Sequence, residues 1–268
     1  MTQTKHSNLE LMKFTRMLRQ REFFSFQRFA DGESWILQGK KFKLGPKRKH
    51  HGYKNPEDWK SFDPVKNKIQ MDHLYRALQF KRSDYYLGLL VGNSPENHAL
   101  TEWMLRQSGQ DLSQVTFANL FVNSNYSLFL TEFLPEFQKW KIVIVCNKNS
   151  IINTRILPNI VWRFDVGSNC IVEDFDLVRR IRDFVKERNV KNHLFVFACS
   201  TLGNFCIREL AEIEPENMYI DCGSTLNPFL GLSSDRAYLA AFNKFHYRGG
   251  DAPTDALYEE EVWPWVKS

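Results

Sequence analysis

Several short stretches of this chain are apolar at almost every position, and they constrain its fold more than any other feature. The clearest are residues 193–199, HLFVFAC, and residues 141–146, KIVIVC. A strand with one solvated face alternates apolar and polar side chains, whereas a strand covered on both faces is apolar throughout. Strands of the second kind occur in parallel sheets that carry helices on both faces. The apolar runs therefore predict an α/β fold.

Segments with helical periodicity alternate with these strands. Helices are predicted at residues 8–19, 34–38, 69–80, 128–137, 175–187 and 205–213, with another that starts at Ser94 or Pro95. Strands are predicted at residues 23–30, 85–91, 115–122, 141–146, 160–164, 193–199 and 218–224. This order predicts a doubly wound, mostly parallel, Rossmann-like sheet flanked by helices. The length of 268 residues allows one large core, and we expect a single domain over residues 1–268.

A basic stretch at about residues 40–60 interrupts the alternation. Lysine, arginine and two histidines dominate it, and Gly45, Pro46, Gly52 and Pro56 break it. Such a composition cannot build a core, so it predicts a long loop insertion. The loop is either a solvated insertion or a lid that attracts phosphate and docks an acceptor.

Charge and cysteine content limit the class of protein. The net charge of +5 and the sequence pI near 8.9 suit an anionic partner without naming it. Five cysteines without a CxxC pair favour buried, reduced thiols and a cytoplasmic location. The amino terminus is polar, and no run reaches the roughly 20 apolar residues of a membrane span. We expect a protein that is soluble or rests on a membrane surface.

The stretch RFADGE, residues 28–33, places two carboxylates at the end of a predicted strand. Asp31 and Glu33, separated by Gly32, can point at one divalent cation if they lie in a turn. Arg28 supplies a guanidinium nearby, and a cation with a guanidinium beside it can receive a diphosphate. The alternative is a solvated turn in which Arg28 pairs with one of the two carboxylates.

Three further loops follow predicted strands and carry candidate ligand-binding groups. Thr201, Gly203 and Asn204 follow residues 193–199, and their small size would let a helix N-terminus approach phosphate. Asp221 can accept a sugar hydroxyl or act as a general base, with Ser224 close behind it. The amides of Asn123 and Asn125 suit sugar hydroxyls. Each group has a plainer alternative as a turn or capping residue.

Four motifs in a fixed order resemble those of the GT-D type glycosyltransferases. They are RFADGE at residues 28–33, NLFVNSNY at 119–126, FVFACSTLGN at 195–204 and YIDCGSTLNPFLG at 219–231, followed by Arg236 and Tyr238. The resemblance covers roughly residues 23–238. It identifies Asp31 and Glu33 as the D-x-E pair that serves the metal and the nucleotide sugar, framed by Arg28 and Gly32. Ala30, Asn227 and the basic insertion depart from the family pattern.

The resemblance implies a metal-dependent transfer of a hexosyl or pentosyl group from a nucleoside diphosphate sugar, most simply a UDP sugar, to a hydroxyl of a glycan. Mn²⁺ or Mg²⁺ is then the expected cofactor, held by Asp31 and Glu33. Thr201, Gly203, Asn204 and Ser224 would contact phosphate or ribose. Asn123, Asn125 and Asp221 are candidates for the sugar or the acceptor, with Asp221 as the base.

The expected partners are a nucleotide sugar and a glycan acceptor on protein or lipid, with a peripheral membrane contact and without nucleic acid. Two other classes of function stay open at this point. A metal-dependent phosphoesterase acting on nucleotide sugars would also use carboxylates at strand ends. A non-catalytic nucleic-acid binding protein would use the basic loop and its aromatic residues.

Overall fold

The computed structural model describes residues 5–45, 59–91, 94–232 and 238. The strands are β1 (Ser25–Phe29), β2 (Phe42–Leu44), β3 (Lys60–Phe62), β4 (Tyr85–Leu89), β5 (Val115–Phe117), β6 (Lys141–Asn147), β7 (Ile160–Val166), β8 (His193–Ala198) and β9 (Met218–Asp221). The helices are α1 (Ser7–Gln20), α2 (Asp31–Leu37), α3 (Lys68–Gln79), α4 (Pro95–Ser108), α5 (Tyr126–Leu128), α6 (Cys170–Glu173), α7 (Leu177–Glu187) and α8 (Leu202–Ile213). Tighter or wider helical turns occupy Leu112–Gln114, Asn123–Asn125, Phe129–Phe133, Leu134–Lys139 and Gly223–Leu230.

Seven of the strands form one sheet in the order β5-β4-β1-β9-β8-β6-β7, and every neighbouring pair is parallel. The predicted α/β fold with a doubly wound parallel sheet is confirmed. From β1 the chain moves outward through β4 to β5, and then builds the other half from β6 and β7 inward through β8 to β9. The carboxyl ends of all seven strands therefore lie at the same edge of the sheet.

Helices cover both faces of this sheet, which explains the continuous apolarity of the central strands. Successive residues of β6, Ile144 and Val145, are both fully buried but belong to different clusters, one on each face. The same holds for Val196 and Phe197 of β8. Helices α2, α3, α4, α7 and α8 contribute to one cluster, while α1 and the turns between β5 and β6 contribute to the other.

Several predicted element boundaries were wrong. Helix α2 begins at Asp31 rather than Ser34, and α8 begins at Leu202 rather than Phe205. Strand pairing in β5 stops at Phe117, although the apolar run continues to Val122, and pairing in β9 stops at Asp221 rather than at Ser224. The buried turns that follow these strands need apolar side chains as much as the strands do, so apolarity alone does not mark where pairing ends.

The basic stretch is not a loop throughout, because its two ends pair with each other. β2 and β3 form a separate antiparallel ribbon, and the rings of Phe42 and Phe62 stack at 5.9 Å across it. Lys41 closes the ribbon with an ion pair of 2.7 Å to Asp63. The predicted insertion otherwise falls on residues 46–58, which lie outside the described residues.

Two further properties bear on the class of protein. All five cysteines are buried and free, as predicted. Burial raises the pKa of the Cys170 thiol to about 12, so this thiol is protonated at neutral pH and unreactive. Within the described ranges, no helix is long and apolar enough to cross a membrane.

Candidate active site

The carboxyl ends of β1, β9 and β8 lie side by side at the centre of the sheet. The chain leaves β1 toward one half of the sheet and returns to β9 from the other half. Ligands of open parallel sheets bind beyond the carboxyl ends at such a reversal point. Five of the residues singled out in the sequence are close together here: Arg28, Glu33, Thr201, Asn204 and Asp221. Gly223 lies against one of them, Arg28.

Arg28 on β1 and Asp221 on β9 form an ion pair at this centre. Nε of Arg28 lies 3.3 Å from Oδ2 of Asp221, and the two side chains are 18% and 6% exposed. The second oxygen of Asp221, Oδ1, is buried and lacks a hydrogen-bond partner among the described residues. A buried carboxylate oxygen that accepts no hydrogen bond raises the free energy of the folded protein. Oδ1 is therefore an acceptor suited to a ligand hydroxyl.

Burial sets the protonation behaviour of this pair. It raises the pKa of the Asp221 carboxyl above the usual value, because desolvation outweighs the attraction of Arg28, and nearby Glu33 adds a repulsion of the same sign. For Arg28, burial acts to lower the pKa, but Asp221 and Glu33 outweigh it and the pKa is raised. The guanidinium therefore stays charged, while Asp221 binds a proton more readily than an exposed aspartate. Raised carboxyl pKa values are typical of general bases.

The Asp-Gly-Glu stretch differs from the turn that the sequence predicts, because it forms the first turn of α2. Glu33 is 9% exposed, and both of its oxygens accept hydrogen bonds from the protein. Oε2 accepts from the backbone N–H of Ala30 at 3.0 Å, and Oε1 accepts from the hydroxyl of Thr201 at 2.6 Å. A glutamate at this position caps the helix start, which the sequence analysis did not recognise. Asp31 is exposed at the same helix start.

Gly32 and the start of α8 also depart from expectation. A Cβ added at Gly32 would meet no atom within 4 Å. Packing therefore does not require a glycine at this position, which follows Asp31. A Cβ at Gly203 would lie 3.2 Å from Cβ of Phe197, so that glycine serves the close packing of α8 on β8. The amide of Asn204 donates to the carbonyl oxygen of Arg28 at 2.9 Å, and its Oδ1 is buried without a partner among the described residues.

The turn after β9 brings its backbone against Arg28. Gly223 has a φ of +50°, and a Cβ there would lie 1.7 Å from Nη2 of Arg28. Only glycine permits both the left-handed backbone and this approach. Ser224 follows in the same turn and is half-buried, while the buried hydroxyl of Thr225 lacks a partner among the described residues.

Asn123 and Asn125 lie elsewhere, in the turn that follows β5 at the edge of the sheet. Asn125 is buried, and its amide donates to the carbonyl of Leu120 at 3.1 Å. Asn123 has a φ of +55°, which asparagine tolerates better than most residues. The structure thus shows a turn role for Asn125, and binding of the sugar or acceptor by either residue stays a prediction.

Of the two residues that follow the fourth motif, only one can be described. Tyr238 packs edge-on against Tyr126 with the ring centroids 4.8 Å apart. This contact joins the second motif, residues 119–126, to the part of the chain that follows the fourth motif. Arg236 lies outside the described residues.

One contact at the site was not predicted from the sequence. The ammonium of Lys60, on β3, donates at 3.2 Å to the hydroxyl of Ser200, two residues before α8. Ser200 has a φ of +53°, a strained conformation for a residue with a Cβ. The signal in the sequence was the basic stretch that ends at Lys60, but its pairing with residues 42–44 could not be predicted from composition.

The described carboxylates do not form a ready-made metal cage. No group of three or more histidine, cysteine, aspartate or glutamate side chains in the described ranges could hold a metal ion. Mg²⁺ in nucleotide sites is usually held by one or two carboxylates together with substrate phosphates and water. Asp31 is exposed at the start of α2, as a carboxylate in that kind of site must be. Both oxygens of Glu33 accept hydrogen bonds from Ala30 and Thr201.

Two solved structures have a fold similar to that of this chain. A structure described as the selenomethionine-substituted domain of unknown function 1792 (DUF1792) matches with a TM-score of 0.52 at 12% identity, over 86% of this chain and 92% of the other. A second, described as a new glycosyltransferase (DUF1792) from Streptococcus sanguinis, matches with a TM-score of 0.52 at 14% identity, over 84% of this chain and 85% of the other. The chain shares their α/β fold. Neither a protein-family model nor a curated protein matches it.

Proposed function

We propose that this protein is a glycosyltransferase that moves a sugar from a nucleoside diphosphate sugar, in the first instance a UDP sugar, to a hydroxyl of a glycan acceptor. The observation that carries the proposal is the buried Arg28–Asp221 pair at the reversal point of the sheet, whose Oδ1 lacks a partner among the described residues, with Asp31 exposed two residues beyond the end of β1. The fold shared with a structure described as a glycosyltransferase supports it, as do the four ordered motifs.

Arg28 and Asp31 have the charges needed to receive a diphosphate. The guanidinium carries five N–H donors, of which Nε is used on Asp221. Asp31 would hold Mg²⁺ or Mn²⁺ together with phosphate oxygens, and Glu33 would fix the helix start that presents Asp31. A bound ion supplies neutralisation of the negative charge that develops on the leaving diphosphate.

Asp221 is the proposed base for the acceptor. In an inverting reaction, the acceptor oxygen bonds to the anomeric carbon as its hydroxyl proton passes to Oδ1 of Asp221. The bond from the anomeric carbon to the phosphate oxygen breaks, and its electron pair leaves with the diphosphate. The raised pKa of Asp221 favours this proton transfer.

The remaining groups would bind the substrates. Lys60 and Ser200 lie beside the start of α8, where Thr201, Gly203 and Asn204 begin the helix, and a phosphate or ribose there would meet the positive end of α8. Ser224 stays a proposed contact of phosphate or ribose, and Asn123 and Asn125 stay proposed contacts of the sugar or the acceptor. The basic insertion would act as an acceptor-docking loop. The acceptor on protein or lipid and a cytoplasmic location belong to this proposal.

Calorimetric binding of UDP and other nucleotides tests the proposal, with Mn²⁺, with Mg²⁺ and with a chelator. We expect UDP binding that needs the metal and that weakens at least about tenfold in Asp31→Asn, because loss of one charged contact costs more than about 1.4 kcal/mol. Asp72→Asn, on α3, is the matched control and should bind as wild type. Absence of nucleotide binding with either metal would refute the proposal, and hydrolysis of UDP sugar without acceptor transfer would favour a phosphoesterase.

A further inference from the structure

A second cluster of charge lies at the opposite edge of the sheet from the candidate active site. There, an open cleft of about 820 Å³ is bordered by the amino ends of β6, β7 and β8. Five basic residues line it: Arg21, Lys139, Lys141, Lys191 and His193. None of the described lining residues is acidic. The volume is in the range of ligand-binding clefts, and the lining selects an anion.

The positive charge of this cleft is only partly neutralised from outside. Lys139 pairs with Glu136 at 2.7 Å, and Lys191 pairs with Glu216 at 3.0 Å and with Glu214 at 3.8 Å. Arg21 and Lys141 form no ion pair with a described carboxylate. Instead, Arg21 donates to the carbonyl of Lys139 at 2.9 Å and lies 4.5 Å from the ring centroid of Trp140. These contacts hold a charged guanidinium in place at the cleft, so an anion would meet a preformed site.

Exposed apolar side chains adjoin the cations. Val161, which lines the cleft, is 49% exposed, and its neighbour Trp162 is 38% exposed. Both lie on β7, the edge strand, where the register shifts so that Val161 is the extra residue between two paired positions. The guanidinium of Arg188 lies 4.6 Å from the ring centroid of Trp162. The ring of Trp162 also packs 4.9 Å from the ring of Phe184 on α7, so Trp162 lies beside the cleft on the edge strand, while Val161 belongs to the cleft lining.

We propose that this edge of the sheet binds the surface of a membrane that contains anionic lipids. Lipid phosphates would occupy the cleft, and Val161 and Trp162 would sit at the level of the headgroups, where indole rings are favoured. Lysine and arginine near an anionic leaflet each strengthen binding. The composition fits a single-stranded nucleic acid less well, because that ligand stacks its bases on aromatic faces, and Trp140 is only 2% exposed.

The sheet fixes how the protein would be oriented on the membrane. The seven residues of β6 span about 20 Å at roughly 3.3 Å per residue, and they separate the cleft from the carboxyl ends of the strands. A molecule bound by the cleft therefore turns its candidate active site away from the bilayer. This inference does not depend on the proposed transferase reaction, since it rests on a different surface.

Co-sedimentation with lipid vesicles tests it on the full chain. Wild type should bind vesicles of phosphatidylcholine with phosphatidylglycerol but not vesicles of phosphatidylcholine alone. The double variant Lys141→Gln/Lys191→Gln should bind the anionic vesicles roughly 25-fold more weakly, at about fivefold for each charge removed. Val161→Ser should lose a few-fold by removing apolar contact without changing the charge.

The matched control is Lys66→Gln/Lys68→Gln, which removes the same charge from exposed positions at and before the start of α3, outside the cleft. It should bind like wild type within about twofold. An equal loss in both double variants would reduce the effect to net charge and overturn the proposal. So would binding of an oligonucleotide or inorganic phosphate in the cleft without any binding of anionic vesicles.

Discussion

At the scale of single residues, the position of the Arg28 guanidinium requires a glycine at residue 223. The guanidinium lies where a Cβ of residue 223 would be, and the backbone of residue 223 is left-handed. The glycine therefore does two separate things: it accepts the φ of +50°, and it leaves room for the cation that pairs with Asp221. A substitution can separate these effects, because Gly39 has a similar φ of +66° with open space around it.

Gly223→Ala should cost more stability than Gly39→Ala and should also abolish nucleotide binding. The left-handed alanine costs about 1 kcal/mol at either position. At residue 223, displacement of Arg28 from Asp221 should add about 3 kcal/mol, which is typical for a broken buried ion pair. Urea unfolding gives the free energies, and calorimetry gives the nucleotide affinity.

In this comparison, Gly39→Ala controls for backbone strain and should bind nucleotide like wild type. Equal losses of stability in the two variants would contradict the close approach of Arg28 to residue 223. Normal nucleotide binding by Gly223→Ala would remove Arg28 from the proposed diphosphate site.

At the scale of elements, the starts of α2 and α8 are joined by one short hydrogen bond. The hydroxyl of Thr201, directly before α8, donates to Glu33 in the first turn of α2. The amide of Asn204 in α8 adds a bond to the backbone of β1. Helix α8 is therefore bonded both to β1 and to α2, which are separated only by Ala30. The position of Asp31, the first residue of α2, thus depends on contacts made by α8.

Thr201→Val tests this junction because it removes the hydroxyl at nearly constant volume. The substitution leaves a buried carboxylate oxygen of Glu33 without its donor, so we expect a loss of about 2 to 3 kcal/mol. Metal-dependent nucleotide binding should weaken as well, since the helix start that presents Asp31 is loosened. Chemical unfolding and calorimetry measure the two effects.

Thr15→Val is the matched control for that junction. The hydroxyl of Thr15 is equally buried and donates to the neutral carbonyl of Leu11 within α1 at 2.8 Å. Its loss should cost about 1 kcal/mol and leave nucleotide binding intact. If the two valine variants were equally stable and both bound nucleotide normally, Thr201 would be no more than an ordinary buried hydroxyl.

At the scale of the whole molecule, the buried charges of the site make folding depend on pH. Because the pKa of Asp221 is raised in the fold, the folded state binds this proton more tightly than the unfolded state. The stability contributed by the protonated carboxyl is complete below about pH 4, the unfolded pKa, and is lost as pH rises through the raised folded pKa. A reaction that needs Asp221 as a base has the opposite dependence and increases over the same pH range.

Asp221→Asn should remove both dependences. The free energy of unfolding of wild type, relative to that of the variant, should fall as pH increases from about 4. Glycosyl transfer by wild type should show an acidic limb in the same range, and the variant should have no such limb in its residual activity. Denaturant unfolding and initial rates across pH give the two curves. A constant stability difference between the two proteins would contradict the raised pKa of Asp221.

Along the chain, the class of fold was determined by the sequence itself. A run such as residues 193–199 can be buried on both sides only within a sheet that carries helices on both faces, and β8 lies in such a sheet. The alternation with helical segments predicted the parallel winding. Since ligands of such sheets bind at the carboxyl ends of strands, the sequence also indicated Arg28, Asp31 and Asp221 as candidates.

Only the tertiary structure decided which of these residues meet and what each one does. Glu33 and Thr201 are 168 positions apart, so nothing local indicates that they bond or that Glu33 is enclosed. The pairing of Arg28 with Asp221 and the basic cleft at the far edge likewise depend on strand order. Apolar patterning records which side chains are buried, because burial is a property of each residue, but contacts between distant polar groups are a property of the folded chain.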